Sequence, residues 1–440
     1  MKTVIFAVMA TALCACGFSV AGLAHADNQL PKNVATRDAQ NLKIIGPGIF
    51  RPGVGWLGST PDPNPDMNEP DMSNWEIFIS INKAAPSQHP VGPAHVNTND
   101  AIWETWADDA LTFPSSPDPT HPPQWPASAT SFPLKHLVLP FQNVIRRQLL
   151  LRKPIQLNVL RKPIEAAELF KINPHQPPAG MTPEILEIQS GGGEEVRRNK
   201  DDFQFIVDNK LFYTQGLRDA FAAGKPIVFP LPSIEVKARW VPITDAQKSQ
   251  YHWNYDSNGN LFGLVALHIM TKHLGNWTWA TWEWVGNAGR CDYIGCHDEF
   301  GVTPADVAPQ TPLNGSYPPG TLTSALLAKF TAAGLSAEWK NYRLKGSQTL
   351  FTDTTGRATL LGNSVTEAGF VQSSSCITCH GIASVDSNGH INPTFGFAPS
   401  GGSSNGPLLP SMFWNGTTLR YMPVDFVWAF ANAQPAPGVP

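Results

Sequence analysis

The residues best suited to chemistry are two cysteines and a histidine in the run Cys376-Ile377-Thr378-Cys379-His380. This C-x-x-C-H spacing is typical of covalent attachment of c-type haem. One helical turn places both sulfurs along one edge of a porphyrin, where each can form a thioether with a vinyl group. The histidine that follows then lies beneath the iron and becomes the proximal ligand. The sequence therefore predicts one haem c on Cys376 and Cys379, with His380 as the axial ligand.

Two other chemistries use the same cysteine spacing. A redox-active disulfide is expected within a thioredoxin-like strand–helix–strand unit, and half of a zinc site needs a second cysteine or histidine pair. Neither context is found in this sequence around Cys376 and Cys379. Haem attachment is therefore favoured.

The sixth iron ligand is less well defined by the sequence. In small cytochromes a methionine downstream of the attachment motif fills that position, and Met422 and Met412 both follow the motif. Met422 is favoured because Pro423 stiffens the chain after it. His268, in the apolar run Leu267-His268-Ile269, is the histidine alternative.

A second cysteine pair, Cys291 and Cys296, is followed directly by His297. Some multihaem cytochromes attach haem through this wider spacing. The other interpretation is a disulfide across a short loop, as is common in exported proteins. The disulfide is the favoured prediction, and a second haem on Cys291, Cys296 and His297 is the alternative.

Residues 1–26 resemble a secretory signal peptide. Lys2 precedes the apolar run Val4 to Leu23, and Ala24-His25-Ala26 forms a small-x-small cleavage site before Asp27. The expected location is the bacterial periplasm or another exported compartment. Membrane association is expected only if the signal is retained or if Cys16 is lipidated.

Composition and patterning predict an α+β fold. The chain has 440 residues, a formal charge of −4 and no basic character that would indicate a nucleic-acid partner. Its 41 prolines and 36 glycines predict many loops. We expect an α+β region over residues 27–320 with a central antiparallel sheet and surrounding helices, then a mainly helical, cytochrome c-like haem-binding region over 321–440. Apolar patterning predicts strands at 227–229, 234–241, 263–270 and 277–285, and helices at 74–83, 99–111, 215–223 and 322–333.

Several stretches resemble a group of large, exported bacterial monohaem proteins known as the cytochrome c family. The matching stretches include Trp103-Glu104-Thr105-Trp106, Ala266-Leu267-His268-Ile269, Asn276-Trp277-Thr278-Trp279-Ala280-Thr281 and Asp425-Phe426-Val427-Trp428, besides the haem motif. The resemblance implies haem binding and electron transfer, with no established substrate. It also makes His268 more interesting as a candidate for the sixth iron ligand than its sequence context alone does.

Three functions follow as hypotheses. The first is a periplasmic electron-transfer cytochrome with a redox partner protein. The second is a haem-dependent oxidoreductase of peroxidase or oxygenase type, with a small-molecule substrate and an open distal face. For this enzyme Glu104, Glu283 and Glu367, each set among apolar residues, are acid–base candidates. The third is a haem-based sensor or binding module.

Overall fold

The architecture comes from a computed structural model, which describes residues 65–85, 89–91, 95–97, 99–125, 193–256, 259–368, 371–392 and 405–438. The predicted signal peptide, Cys16 and the cleavage site lie outside these residues. Within the described ranges, no helix is long and apolar enough to cross a membrane.

Helices are few and short. They are α1 (Pro65–Asn68), α2 (Pro70–Ile81), α3 (Asp109–Thr112), α4 (Lys200–Asp208), α5 (Thr214–Ala222), α6 (Ser324–Ala333) and α7 (Cys376–Gly381). Local capping explains the bounds of α6: the Thr323 side chain accepts a hydrogen bond from the backbone N–H of Leu326, and Gly334 ends the helix at φ 68°.

The central element is a seven-stranded antiparallel sheet. Its strands are β1 (Ala107–Asp108), β2 (Gly193–Arg198), β3 (Ile234–Pro242), β4 (Trp253–Tyr255), β5 (Leu261–Thr271), β6 (Thr278–Trp284) and β7 (Tyr342–Gln348). The order across the sheet is β7-β6-β5-β3-β2-β1, and β4 pairs with the start of β5. The sheet therefore includes a strand from the region 321–440, so the region of the cysteine motif and the central region share one scaffold.

Among the described residues there are also five two-stranded ladders. They join His89–Val91 to His95–Asn97, Cys296–His297 to Asp306–Val307, Val302–Thr303 to Thr321–Leu322, Ser384–Val385 to Met422–Pro423, and Trp414–Asn415 to Thr418–Leu419.

The two faces of the sheet differ in chemistry. One face carries Val236, Ala238, Leu267, Ile269 and Trp282, which pack with residues of α2 and α6 in an apolar core. Alternation along each strand sends the intervening residues to the opposite face. That polar face carries Glu194, Arg198, Glu235, Lys237, Arg239, His268, Thr281, Glu283 and Gln348.

The chain segments after β7 cover the polar face. Asn363 donates to the Thr281 hydroxyl at 2.9 Å, and the backbone N–H of Ser364 donates to Glu283 at 2.8 Å. Gln348 at the end of β7 bonds to α7. The segment that carries the cysteine motif is thus placed against the charged side of the sheet.

The predicted α+β class with a mainly antiparallel central sheet is confirmed. The predicted strands at 234–241, 263–270 and 277–285 correspond to β3, β5 and β6. The predicted helices at 74–83, 215–223 and 322–333 correspond to α2, α5 and α6.

Two local predictions are wrong. Residues 99–111 do not form one continuous helix. They form a 3₁₀ turn at Ile102–Thr105, then β1 and then the start of the short helix α3, because pairing of Ala107 with Arg198 in the sheet interrupts the helical pattern. Residues 227–229 are not a strand. There the backbone N–H of Phe229 donates to the Asp425 carboxylate at 2.7 Å instead of to a neighbouring strand.

The mainly helical character expected of the region 321–440 is not seen in its described part. Two α-helices, α6 and α7, occur there together with 3₁₀ turns and short ladders. Long-range packing, rather than a bundle of helices, positions the motif.

Candidate functional site

The cysteine motif forms the short helix α7, which the sheet holds in place. The Gln348 side chain accepts a hydrogen bond from the backbone N–H of Ile377 at 3.0 Å and donates to the Ser375 hydroxyl at 2.9 Å. The Thr378 hydroxyl donates to the carbonyl of Gly406 at 2.6 Å. Ile377 and Thr378 are buried, so the helix is fixed through the two residues between its cysteines.

Cys376 and Cys379 are free thiols, and both residues are partly exposed. The Cys376 thiol donates to the carbonyl of Leu361 at 3.4 Å. Burial, with the nearby Glu367 carboxylate, raises the pKa of Cys376 well above its usual range and the pKa of Cys379 to about 12. Both groups are therefore neutral S–H groups at neutral pH, one helical turn apart.

His380 has a defined tautomer. Its Nδ1 atom lies 2.9 Å from the carbonyl oxygen of Phe426, which can only accept, so Nδ1 carries the proton and Nε2 presents its lone pair. Burial lowers the pKa of His380 to about 3, and the hydrogen bond to Phe426 offsets only part of that effect. The imidazole is therefore neutral and oriented, as a metal-ligating histidine must be.

The segment 425–428 contacts the cysteine motif and stabilises its position. The indole N–H of Trp428 donates to the carbonyl of Cys379 at 3.0 Å. Asp425 and Phe426 have φ values of 51° and 71°, a region that bulky residues rarely adopt. The Asp425 carboxylate is held by Lys272 at 2.7 Å and by the N–H of Phe229 at 2.7 Å, which stabilises this strained backbone.

Trp279 of β6 packs against the histidine. The ring centroids of Trp279 and His380 are 4.6 Å apart, and Trp279 also lies 5.9 Å from the Phe426 ring. Trp279 pairs with Met270 of β5 in the sheet. Its contact with His380 restricts rotation of the imidazole ring. The rings of Trp279 and Phe426 therefore form an apolar surface beside the polar residues of the site.

His268 lies at the centre of the polar face. Its neighbours across the sheet are Lys237 on β3 and Thr281 on β6. Its Nε2 atom is buried and has no hydrogen-bond partner among the described residues. The nearest carboxylate oxygen, Oε2 of Glu367, lies 3.6 Å away, beyond hydrogen-bond length, and accepts from the N–H of Asn363 at 2.6 Å.

Charges around the site are close enough to influence one another. Burial, together with the nearby Lys237 ammonium, lowers the pKa of His268 to about 3. Burial also raises the pKa of Glu367 to about 7. The Lys237 ammonium also lowers the pKa of Cys379 and of His380, and it pairs with the Glu194 carboxylate at 3.1 Å.

The two predicted methionine ligands are placed differently. Met422 is buried on a short strand, where it pairs with Val385 of the segment that follows α7 in the chain. It lies four residues before Phe426. Met412 is also buried, and its sulfur accepts a hydrogen bond from the N–H of Leu409 at 3.4 Å. Met412 is thus already engaged in local structure.

The second cysteine pair is covalently linked. Cys291 and Cys296 form a disulfide with an S–S distance of 2.01 Å, so the structure holds the disulfide form and not a second attachment site. His297 instead lies 2.7 Å from Asp306 through its Nδ1 atom.

The three glutamate candidates have different surroundings. Glu104 bonds to His252 at 2.6 Å and caps the N–H of Ala101, away from the motif. Glu283 accepts from Ser364 and lies 3.5 Å from the ammonium of Lys345. Of the three, Glu367 is the carboxylate near both cysteines and His268.

The residues present fit an iron porphyrin. Two neutral thiols lie one turn apart, His380 offers an oriented Nε2, and His268 has a buried nitrogen that finds no hydrogen-bond partner in the described part of the chain. The side chains of His268 and Glu367, which such a group would cover, are 17% and 18% exposed to solvent. Cys376, Cys379, His380 and His268 are the residues that could hold it.

Sequence reasoning missed three supporting side chains, Gln348, Lys272 and Lys237. Strand alternation could have placed Lys237 and Gln348 on one face, because each lies in an otherwise apolar or β-prone run. The contact of Lys272 with Asp425 spans 153 residues, and no local pattern indicates it.

Within the part of the chain that the structure describes, no group of three or more His, Cys, Asp or Glu side chains could hold a metal ion directly. No family model matches the chain, and the chain has no match among curated proteins or solved structures.

Proposed function

We propose that this protein is an exported c-type cytochrome that carries one covalently bound haem and transfers electrons. The observation that carries the proposal is the arrangement at α7: two free thiols one turn apart, followed by a histidine whose Nδ1 is fixed by Phe426 and whose Nε2 is free to ligate.

The thiols would attach the porphyrin without an oxidant. Each S–H adds across one vinyl C=C bond, so that the sulfur forms a C–S bond to one carbon and the hydrogen goes to the other. Cys376 and Cys379 are both protonated at neutral pH because burial raises their pKa values, so each supplies the sulfur and the hydrogen. The bound haem supplies a one-electron iron couple.

Phe426 and Trp279 fix the orientation of His380, the proposed proximal ligand. The carbonyl of Phe426 accepts from Nδ1 of His380 and so increases electron density on Nε2. Trp279 limits rotation of the ring. His380 is therefore preorganised, and little reorganisation is needed on a change of iron charge, which suits electron transfer.

A redox partner would approach the haem at the porphyrin edge that is bonded to Cys376 and Cys379. Both cysteine residues are partly exposed, so the porphyrin edge bonded to them would lie close to the surface. A partner protein can therefore approach this edge. The proposed compartment is the periplasm, in keeping with the signal-like residues 1–26.

A cytochrome c-like fold of the region 321–440 is not needed for this proposal. The described part of that region is attached to the sheet through β7 and Gln348. The sheet supplies the scaffold that a bundle of helices supplies in small cytochromes.

The test is expression of the full chain in a host that exports it and matures c-type cytochromes. We expect an intact mass increased by one haem, and a pyridine haemochrome spectrum of c type. The Cys376→Ala/Cys379→Ala double variant should lose the covalent mass, whereas a Cys291→Ala/Cys296→Ala variant should keep it. Wild-type protein without covalent haem would refute the proposal.

A second candidate is a haem-dependent oxidoreductase. The ionisable groups His268, Glu367 and Lys237 beside Cys379 favour it, since proton transfer during peroxide or oxygen chemistry needs such groups. Carbon monoxide added to the ferrous protein separates the two candidates. An unchanged absorption spectrum supports electron transfer, and a clear shift supports an accessible iron.

A further inference from the structure

We propose that His268 is the second axial ligand of the iron, opposite His380, and that neither methionine downstream of the motif occupies that position. This inference rests on the proposed haem attachment at Cys376 and Cys379. It names the ligand that closes the other face of the iron.

The first support is an unsatisfied nitrogen. The Nε2 atom of His268 is buried and has no hydrogen-bond partner among the described residues, and leaving a buried polar group unsatisfied costs free energy. Glu367 does not relieve this cost, because its Oε2 lies 3.6 Å away and is bonded to the N–H of Asn363. Coordination to iron would satisfy the nitrogen.

The second support is location. Trp279 and Thr281 lie two positions apart on β6, so their side chains face the same side of the sheet. The Trp279 ring lies 4.6 Å from the His380 ring, and Thr281 is directly opposite His268 on β5. The two imidazoles therefore lie at one site, from different elements.

The third support concerns Met422. The two ring nitrogens of an imidazole point in different directions, so Phe426, which bonds to Nδ1 of His380, lies behind the histidine as seen from the iron. Met422 is on the same segment, four residues earlier, and pairs with Val385 just after α7. Phe426 of this segment therefore lies on the Nδ1 side of His380, and the ladder with Val385 holds the backbone of Met422 in place.

The fourth support is rigidity. His268 lies on the eleven-residue strand β5, which pairs with β3 on one side and β6 on the other. A ligand on a central strand is held more firmly than one on a loop. Lys237 and Thr281 flank His268 on the neighbouring strands, and 17% of the His268 side chain is accessible.

The experiment uses purified full-length ferric protein with covalent haem confirmed by mass. Electron paramagnetic resonance and near-infrared magnetic circular dichroism should show a low-spin bis-histidine iron. In His268→Ala we expect covalent haem to remain, the iron to become high-spin, and carbon monoxide to bind the ferrous form. In His268→Met we expect a low-spin histidine–methionine signature and a higher reduction potential.

Matched controls are Met422→Leu and Met412→Leu, which should keep the wild-type spectra, and His390→Ala at a half-exposed histidine. A wild-type histidine–methionine signature that Met422→Leu abolishes would overturn the inference. So would an unaltered low-spin spectrum in His268→Ala. If His268→Ala does not accumulate, an unaltered bis-histidine signature in His268→Met would have the same consequence.

Failure of the proposed function is distinguishable from failure of this inference. Protein that carries no covalent haem refutes the cytochrome proposal itself. Protein that carries haem but is high-spin in the wild type leaves the cytochrome in place and overturns only the role of His268.

Discussion

The Nδ1 atom of His380 lies 2.9 Å from the carbonyl oxygen of Phe426, a residue 46 positions further along the chain. The same segment reaches Cys379 through the indole of Trp428 at 3.0 Å. The stretch Asp425-Phe426-Val427-Trp428 therefore fixes both the orientation of the histidine and the end of the short helix that carries it.

The buried ion pair behind this segment should be required for its conformation. Asp425→Ala removes the partner of Lys272 and the acceptor for the N–H of Phe229, and it releases the backbone at φ values of 51° and 71°. We expect a loss of roughly 3 kcal/mol or more in the free energy of unfolding, measured by urea denaturation.

The fraction of Asp425→Ala chains that carry haem should fall with this loss, because His380 is then less well oriented. Asp219→Ala, at a carboxylate that is 67% exposed, is the control and should change neither quantity. Normal stability and full haem content in Asp425→Ala would show that the ion pair is dispensable.

Gln348 should anchor the motif to the sheet. Gln348→Leu leaves the N–H of Ile377 without its acceptor at 3.0 Å and the Ser375 hydroxyl without its donor at 2.9 Å. Because these groups are buried, we expect a loss of roughly 1–3 kcal/mol and lower haem incorporation, read by denaturation and intact mass. Gln124→Leu, in an exposed loop, is the matched control. Equal results for the two variants would argue against an anchoring role.

The disulfide should contribute to stability and not to haem content. Cys291 and Cys296 are separated by five positions, and closing so short a loop corresponds to about 2 kcal/mol in the chain-entropy treatment. The Cys291→Ala/Cys296→Ala variant should unfold at lower denaturant concentration and still carry one haem. Loss of haem from this variant with its fold intact would mean that the pair also shapes the haem site.

A surface histidine should give the stability a pH dependence. Burial lowers the pKa of His297, but the hydrogen bond to Asp306 and the charges of Asp71 and Glu299 outweigh burial and raise it above 6.5. The protonated form is thus favoured in the folded chain, and this contribution is complete below pH 6.5 and lost as the pH rises through the folded pKa.

Asp306→Asn should therefore cost more stability below pH 6.5 than well above it, measured by urea unfolding at one pH on each side. The difference should be small and should shrink in high salt, since 49% of the His297 side chain is exposed. A constant difference between wild type and Asp306→Asn across both pH values would contradict this assignment.

The order of residues along the chain determined the local features. The spacing of Cys376, Cys379 and His380 predicted a helical turn with the three groups on one side, because helical geometry depends only on near neighbours. The apolar, β-branched runs predicted β3, β5 and β6, because burial of strands in a sheet needs such residues. Haem attachment was predicted from these residues alone and stays a prediction.

Only the tertiary structure decided which distant groups meet at the motif. The register of β3, β5 and β6 puts His268 between Lys237 and Thr281, and a shift of one residue would turn His268 into the apolar core. The contacts of Asp425 with Lys272 and of Phe426 with His380 join segments far apart in sequence. Local patterns cannot specify such contacts, because they depend on how whole strands pair and on which face of the sheet the later segments cover.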